Sequence, residues 1–288
     1  MAEWQAIDSR DYIVALELSL TNDCPPDFEL PATVAGFETG LFLPRGDRDW
    51  FGRPSYPPRV LLLKRRTLYI ISHPSAGEQT RQCAMDQITS VESGHMLLKG
   101  WLRFTGLGFD YTVRYNTRGF QSVFQFMHRF RHELLPSAGS RGSPQSIIGL
   151  DIKFGNALTG ELDSGETVLV QVFRPPSEVR SCSWLLPRSH WISGDLLALT
   201  SRRLLWITDR ERGSYSRYGS IASFAPFGAV LGIGSTSGRG GQILKVDLND
   251  GSTWQIPISP ENLRVAEEFA GALELQKRPK AGRTQVRR

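Results

Sequence analysis

Residues 60–73, VLLLKRRTLYIISH, and residues 196–209, LLALTSRRLLWITD, align without a gap. Leu63 falls on Leu199, Arg66 on Arg202, Leu68 on Leu204 and Ile71 on Ile207. Each stretch is a pair of short β-rich runs meeting at basic residues, which reads as a hairpin. The likeness extends outward. Ile88-Thr89-Ser90-Val91 aligns with Ile221-Ala222-Ser223-Phe224, and FDYTVRYNT (109–117) aligns with STWQIPISP (252–260). The second match sets Tyr111, Val113 and Tyr115 against Trp254, Ile256 and Ile258. Each half then ends in one amphipathic helix. Gly119–Leu135 carries Phe120, Val123, Phe124, Met127, Phe130 and Leu134 at helical spacing, and Glu261–Gln276 carries Leu263, Ala266, Phe269, Ala270 and Leu273. Ser259-Pro260 supplies a cap residue and a proline at the first helical position. The shared order of patterns, rather than identity, predicts a duplicated unit.

Other elements follow from local chemistry. Gln242–Leu248 reads as a strand running into Asn249-Asp250-Gly251, residues that tolerate the positive φ of a tight hairpin turn. PSAGSRGSPQSIIG (136–149) has a linker's composition. Asp11–Leu20 fits a helix through Tyr12, Leu16 and Leu20, or an alternating strand, and helix is favoured; Ile152–Leu162 is a second helix candidate. The predicted organisation is a first unit with an N-terminal extension (1–135), a flexible linker (136–149), a second unit (150–276) and a basic disordered tail (277–288). The fold class is mainly β, with each unit an antiparallel barrel closed by its C-terminal helix.

The hairpin LLALTSRRLLWITD resembles the signature strand pair of bacterial pleckstrin-homology-like (PH-like) domains, close kin of the GRAM domains, where a Leu-Thr pair, a polar residue and Arg-Leu-hydrophobic residues recur. SIASF (220–224), ITSVESG (88–94) and the terminal helices fit the same pattern. The resemblance covers roughly 36–135 and 160–276. In the first half Lys64 replaces the threonine and Thr67 interrupts the Arg-Leu step, so the match is weaker there. The resemblance implies two tandem PH-like barrels. It implies no particular ligand, because this fold hosts lipid, peptide and protein binding alike.

Charge is unevenly placed. The chain has 34 Lys+Arg against 29 Asp+Glu, and the tail alone holds Lys277, Arg278, Lys280, Arg283, Arg287 and Arg288 without an acid. Without those six, 28 bases face 29 acids, so the net charge of +5 belongs to the tail. Such a tail suits anionic lipid or nucleic acid. Cys24, Cys83 and Cys182 are odd in number and widely spaced, which argues against a disulfide framework or zinc site. With no leader-like N-terminus and no apolar run of about 18 residues, the expected location is cytoplasmic, with peripheral attachment at the inner membrane surface as the variant reading.

No sequence motif supports catalysis, and no cofactor is implied. GIGSTSGRGG (232–241) lacks a dinucleotide loop's glycine spacing and leads toward a strand, so it reads as a strand-to-strand loop. His128 and His132 share a helix face without a third ligand, which reads as two polar residues on a solvated face. Lys64-Arg65-Arg66 and Arg202-Arg203 read as edge charges at hairpin turns.

Two surfaces stand out for binding. The resemblance brings loops carrying Arg174, Arg180, Arg188, His190, Arg210 and Arg212 to one end of the second barrel, a candidate anion or lipid rim with Asn249-Asp250 beside it. In the first half, PRGDRDWFGRPSYPP (44–58) presents Trp50 and Phe51 flanked by Arg45, Arg48 and Arg53, a candidate partner or membrane anchor. The leading expectation is a non-catalytic binding or scaffolding protein with a protein or peptide partner and no small-molecule substrate. The alternatives are anionic-membrane attachment through the tail and the Trp50–Phe51 loop, nucleic-acid binding through the tail, and a hydrolase without a recognisable motif.

Overall fold

The computed structural model describes residues 14–19, 23–25, 28, 30–47, 55–74, 77, 80–96, 98–135, 149–181, 188–211, 214–215, 219–238 and 241–277. The fold is mainly β. The first half contributes strands β1 (Leu16–Leu18), β2 (Thr39–Leu43), β3 (Arg59–Lys64), β4 (Thr67–Ser72) and β5 (Arg81–Ala84), which form one antiparallel sheet in that order. A 3-10 turn leads to a meander of β6 (Ile88–Met96), β7 (Lys99–Gly106) and β8 (Phe109–Asn116), and helix α1 (Phe120–Leu134) follows. Leu16–Leu18 is therefore a strand where a helix was favoured. It pairs with β2, which itself pairs with the apolar run of β3.

The second half repeats this order behind helix α2 (Ile152–Glu161). It contains β9 (Val168–Arg174), the hairpin of β10 (Ser177–Ser181) and β11 (Arg188–Ile192), then β12 (Asp195–Thr200) and β13 (Arg203–Thr208). A small pair, β14 (Arg210–Glu211) and β15 (Ser214–Tyr215), precedes β16 (Gly219–Pro226). A 3-10 turn, a second meander of β17 (Val230–Gly238), β18 (Gly241–Leu248) and β19 (Thr253–Ile258), and helix α3 (Leu263–Lys277) complete it. GIGSTSG is thus mostly strand β17 rather than loop, its glycines and small residues paired along β18. Among the described residues no helix is long and apolar enough to cross a membrane.

Strand register defines the repeat. In β4 Thr67 faces Ala84, and in β13 Arg203 faces Pro226; in each half a 3-10 turn follows, before Ile88 in one and Val230 in the other. Ile88–Val91 therefore corresponds to Val230–Ile233, a correction to the match with Ile221–Phe224. The alignment of 109–117 with 252–260 holds, since Tyr115 and Ile258 both stand two residues before a 3-10 turn that opens the terminal helix.

Pairing gives three main sheets, none closed on itself. The largest has seven strands in the order β8-β7-β6-β16-β13-β12-β9, so that β6 of the first half pairs antiparallel with β16 of the second, Val91 opposite Phe224 and Gly219 opposite Met96. The third sheet is the meander β17-β18-β19.

This arrangement explains why the two diagnostic hairpins are apolar on both faces, as strands covered on both sides are. In β3, Leu61 and Leu63 enter a core shared with α1, whereas Val60 and Leu62 pack with Phe28, Val34 and Phe37 of the preceding segment. In β12, Leu197 and Leu199 enter the core beneath α3, whereas Leu196 and Ala198 join the first half's own core, together with Phe154 and Leu158 of α2. The face that the N-terminal segment covers in one unit is covered by the first half itself in the other.

Charged side chains tie the same junction. Arg203 and Glu166 have fully buried side chains, with Nε to Oε1 at 2.9 Å and Nη2 to Oε2 at 3.0 Å. Thr200 donates to the same carboxylate at 2.6 Å, and Arg203 also donates to the carbonyl of Glu161. Beside this pair, Asp163 accepts from Arg131 Nε at 3.1 Å and Arg202 Nη1 at 3.2 Å. Arg202-Arg203 is a buried clamp, and the edge-charge reading is corrected for it. Repeat-related Arg66 and Arg202 converge on one target: Arg66 donates to Glu133 O at 2.7 Å and Arg202 to Leu135 O at 2.8 Å. These are terminal carbonyls of α1 that lack partners within the helix, and cations are favourable at that end of its dipole.

Candidate binding cleft

The two faces of the seven-stranded sheet differ in cover. One is packed along its length by α1, α2 and the large core. The other is covered over β9, β12 and β13 by the core beneath α3 and the β17–β19 meander. Among the described residues, that second face is open over β6–β8. Alternation along β7 shows it: Gly100, Leu102, Phe104 and Gly106 are buried, whereas Lys99, Trp101, Arg103 and Thr105 point outward. On β8, Asp110, Thr112 and Arg114 are exposed in the same way.

A cleft of about 680 Å³ occupies this face, within the range of ligand-binding sites. Trp101 is central to it. Its cross-strand partner is Gly94, and a Cβ at Gly94 would stand 2.0 Å from Trp101 Cζ2. The missing side chain lets the indole lie against the sheet. The indole N–H donates to Glu92 Oε1 at 2.7 Å, which fixes the ring's direction. Arg103 is held by Asp110 through two bonds, 2.8 and 2.6 Å. Lys99 and Arg114 supply cations, and Met96, Leu98 and Ile221 supply apolar contact.

A second glycine shapes the opposite, packed face of the same strands. Gly100 is paired with Tyr115, and a Cβ there would lie 2.3 Å from Tyr115 Cζ. Tyr115 is only 1% exposed, its ring lies in the large core on the packed face, and its buried hydroxyl has no hydrogen-bond partner among the described residues. Burial pushes that phenol above its ordinary range, with Glu161 and Tyr56 adding to the effect, so the group stays an O–H donor. Tyr56 stands beside it, pushed up to about 12 by burial and by Asp47, with Arg114 opposing.

The 44–58 segment, read as an anchor, is rooted on this rim. Gly46 N–H donates to Tyr56 O and Ser55 N–H to Asp47 O, each at 3.0 Å, forming a neck whose residues Asp47, Ser55 and Tyr56 line the cleft. Arg45 lies half-buried just before it. Trp50, Phe51, Arg48 and Arg53 lie outside the described residues.

The second-half rim is placed as follows. Arg174 donates to Asp195 Oδ2 at 2.6 Å and Ser193 O at 2.7 Å, so its charge is already matched. Arg180 and Arg188 stand on paired strands, Arg180 opposite Ser189 and Arg188 opposite Ser181, and Arg210 stands on β14 opposite Tyr215. Their side chains, with Arg212, lie outside the described residues. Asp250 binds Ser252 and reaches back to Thr89 Oγ1 of the first half at 2.5 Å, making it a bridge between halves. Of the tail, Lys277 forms the end of α3, with Nζ 3.0 Å from both Leu231 O and Glu274 Oε1; Arg278, Lys280, Arg283, Arg287 and Arg288 lie outside the described residues.

His128 and His132 stand on α1 beside a smaller hollow of about 390 Å³, with side chains 47% and 71% exposed. Their nearest acids are Asp163 at 3.8 Å and Glu133 at 3.9 Å. Among the described residues no group of three or more His, Cys, Asp or Glu is placed to hold a metal ion. Cys83 is a buried thiol, pushed up to about 11 by burial and by Asp86.

Sequence reasoning missed the Trp101 cleft. The available signal was the alternation in KGWLRFTG (99–106) together with Gly94 facing Trp101 on the paired strand. No known family model and no curated protein matches the chain.

Proposed function

We propose that this chain is a non-catalytic binding protein built from two PH-like units, and that its partner is a protein or peptide seated in the Trp101 cleft. The observation that carries this reading is the open outer face of β6–β8. There an indole lies on Gly94, with cations and apolar side chains around it. Aromatic side chains and arginines on an accessible face are the groups that contribute most to recognition. The repeated strand order, with a helix ending each half, supports the PH-like reading. Membrane attachment has less support, because the one rim arginine whose contacts are described, Arg174, is matched by Asp195.

The test is a cellulose-bound array of random dodecapeptides probed with the full chain and with Trp101→Ala. We expect a reproducible subset of peptides to retain the wild type and to lose the variant by about tenfold or more in affinity. Equal retention of both proteins, or retention of neither, overturns the reading. Recruitment to anionic vesicles without peptide binding would replace it with the membrane alternative.

A further inference from the structure

We infer that the outer edge of β17 is a homodimer interface, on which a second copy of this chain lays its own β17 antiparallel across a two-fold axis at Ser235. The inference is independent of the peptide-binding reading.

The first half shows how this edge is used. β6, the repeat equivalent of β17, is paired along the corresponding edge with β16, from Met96–Gly219 to Val91–Phe224. β17 pairs with β18 and is the outermost strand of its sheet. Among the described residues its outer edge makes no backbone hydrogen bond, and Gly234, Ser235, Thr236 and Ser237 are exposed. Unpaired N–H and C=O groups along an edge are a template for another strand.

The other edges of the three main sheets are protected against such pairing. β1 is three residues long and holds Glu17, β5 is four residues long and holds Arg81, and β8 carries Asp110 and Arg114. β9 carries Arg174 and packs against α3, and β19 contains Pro257, which has no N–H to give. β17 runs for nine residues, VLGIGSTSG, with no charged residue and no proline. Its irregularity of register falls at Leu231, ahead of the exposed stretch.

The occupant follows from which strands are left to pair. β16 is taken on both edges, by β13 and β6. β5, its repeat equivalent, exposes Gln82 where β16 buries Phe224. A head-to-tail continuation of the pairing within the chain therefore lacks the apolar residue that seals it. β17 is uncharged in every copy, and laid antiparallel on its twin it closes as a two-fold dimer. The ends of the open stretch place the axis. Lys277 donates to Leu231 O at one end, and β17 stops at Gly238 at the other. The middle of residues 232–238 is Ser235. An axis there sets Gly232 opposite Gly238, Gly234 opposite Thr236 and Ser235 opposite its own copy. Small residues let the strands approach, and hydroxyls bond across them.

Sedimentation equilibrium of the full chain, from about 1 μM to 1 mM, is expected to show a reversible monomer–dimer equilibrium. Ser235→Lys sets like charges against each other at the axis and should weaken association about fivefold or more, and Ser235→Glu should do the same. Mixing the two variants sets opposite charges face to face and should restore a heterodimer, which a misfolded variant cannot do. A truncation to residues 1–277 should dimerise as the full chain does, because the contact lies within β17.

The inference is overturned if the wild type stays monomeric across the range, if Ser235→Lys dimerises with wild-type affinity, or if the mixed variants fail to associate. Loss of the dimer on removing residues 278–288 also overturns it, since the contact would then belong to the tail.

Discussion

Replacing Arg203 with methionine is expected to destabilise the whole chain by about 3–5 kcal/mol, the cost of breaking a buried ion pair from one side. Arg203 and Glu166 both have fully buried side chains. With the guanidinium gone, the Glu166 carboxylate keeps Thr200 and the Asp163 N–H as its donors among the described residues. The change also has a pH signature. In the native chain burial alone would raise the Glu166 pKa, but the Arg203 charge and the hydrogen bonds outweigh it and hold the group below the ordinary carboxylate range. A carboxyl with a depressed folded pKa contributes stability that is present above its unfolded pKa and is lost as pH falls through the folded value. In Arg203→Met burial is no longer opposed by a cation. The folded pKa rises above the unfolded one, and the penalty is greatest at neutral pH and shrinks under acid. Urea titrations at pH 7 and pH 4 measure both effects. The double variant Glu166→Leu/Arg203→Met, which leaves no orphan charge, should recover most of the loss. A loss at pH 7 below about 1 kcal/mol would show that the pair is not the clamp described here.

The second large effect is expected from cutting the chain between its halves. In the intact protein Leu196, Ala198, Leu205, Ile207 and Phe224 are each at most 2% exposed, and all belong to the core of the first half. A fragment of residues 150–288 retains α2 but loses α1, the inner strands and the β6 partner of β16. At about 1.5–3 kcal/mol for each large apolar side chain, the exposure amounts to the order of 10 kcal/mol. That is comparable with the total stability of an ordinary domain. The fragment should therefore bind a hydrophobic dye and elute as a broad oligomer in size-exclusion chromatography. The intact chain should unfold in one transition, with tryptophan fluorescence and far-ultraviolet circular dichroism coinciding. A monomeric fragment with native-like secondary structure, or two resolved transitions in the intact chain, would mean that each half stands alone.

Local elements were legible because their signals are local. The hairpins around Arg65-Arg66 and Ser201-Arg202, the helices after Asn116 and Ser259, and the alternation shared by 109–117 and 252–260 all follow from side chains within a few residues of one another. What covers each face of those hairpins was not legible. An apolar run such as Leu196–Leu199 states that both faces are buried without saying by what. The β6–β16 pairing joins segments about 130 residues apart, and it even misled the alignment. Val91 and Phe224, matched as repeat equivalents, are cross-strand neighbours in one sheet. The buried role of Arg203 was hidden for the same reason, since a basic residue at a turn looks solvated until a distant Glu166 is brought to it.

The cleft was harder still to read, because no single stretch encodes it. It needs Gly94 opposite Trp101 and a neck at Gly46 and Tyr56, between two strands of another sheet. The loop singled out for its tryptophan enters and leaves on the rim of that cleft.

The central claim is that recognition occurs on the open face at Trp101. Fluorine NMR of the chain labelled with 5-fluorotryptophan tests it most directly, because each of the seven tryptophans gives its own resonance and Trp101→Phe assigns the one that matters. Titration with the tightest peptide from the array is predicted to shift the Trp101 resonance while those of Trp206 and Trp254, in the core beneath α3, stay in place. Saturable binding that leaves the Trp101 resonance unmoved would contradict the account.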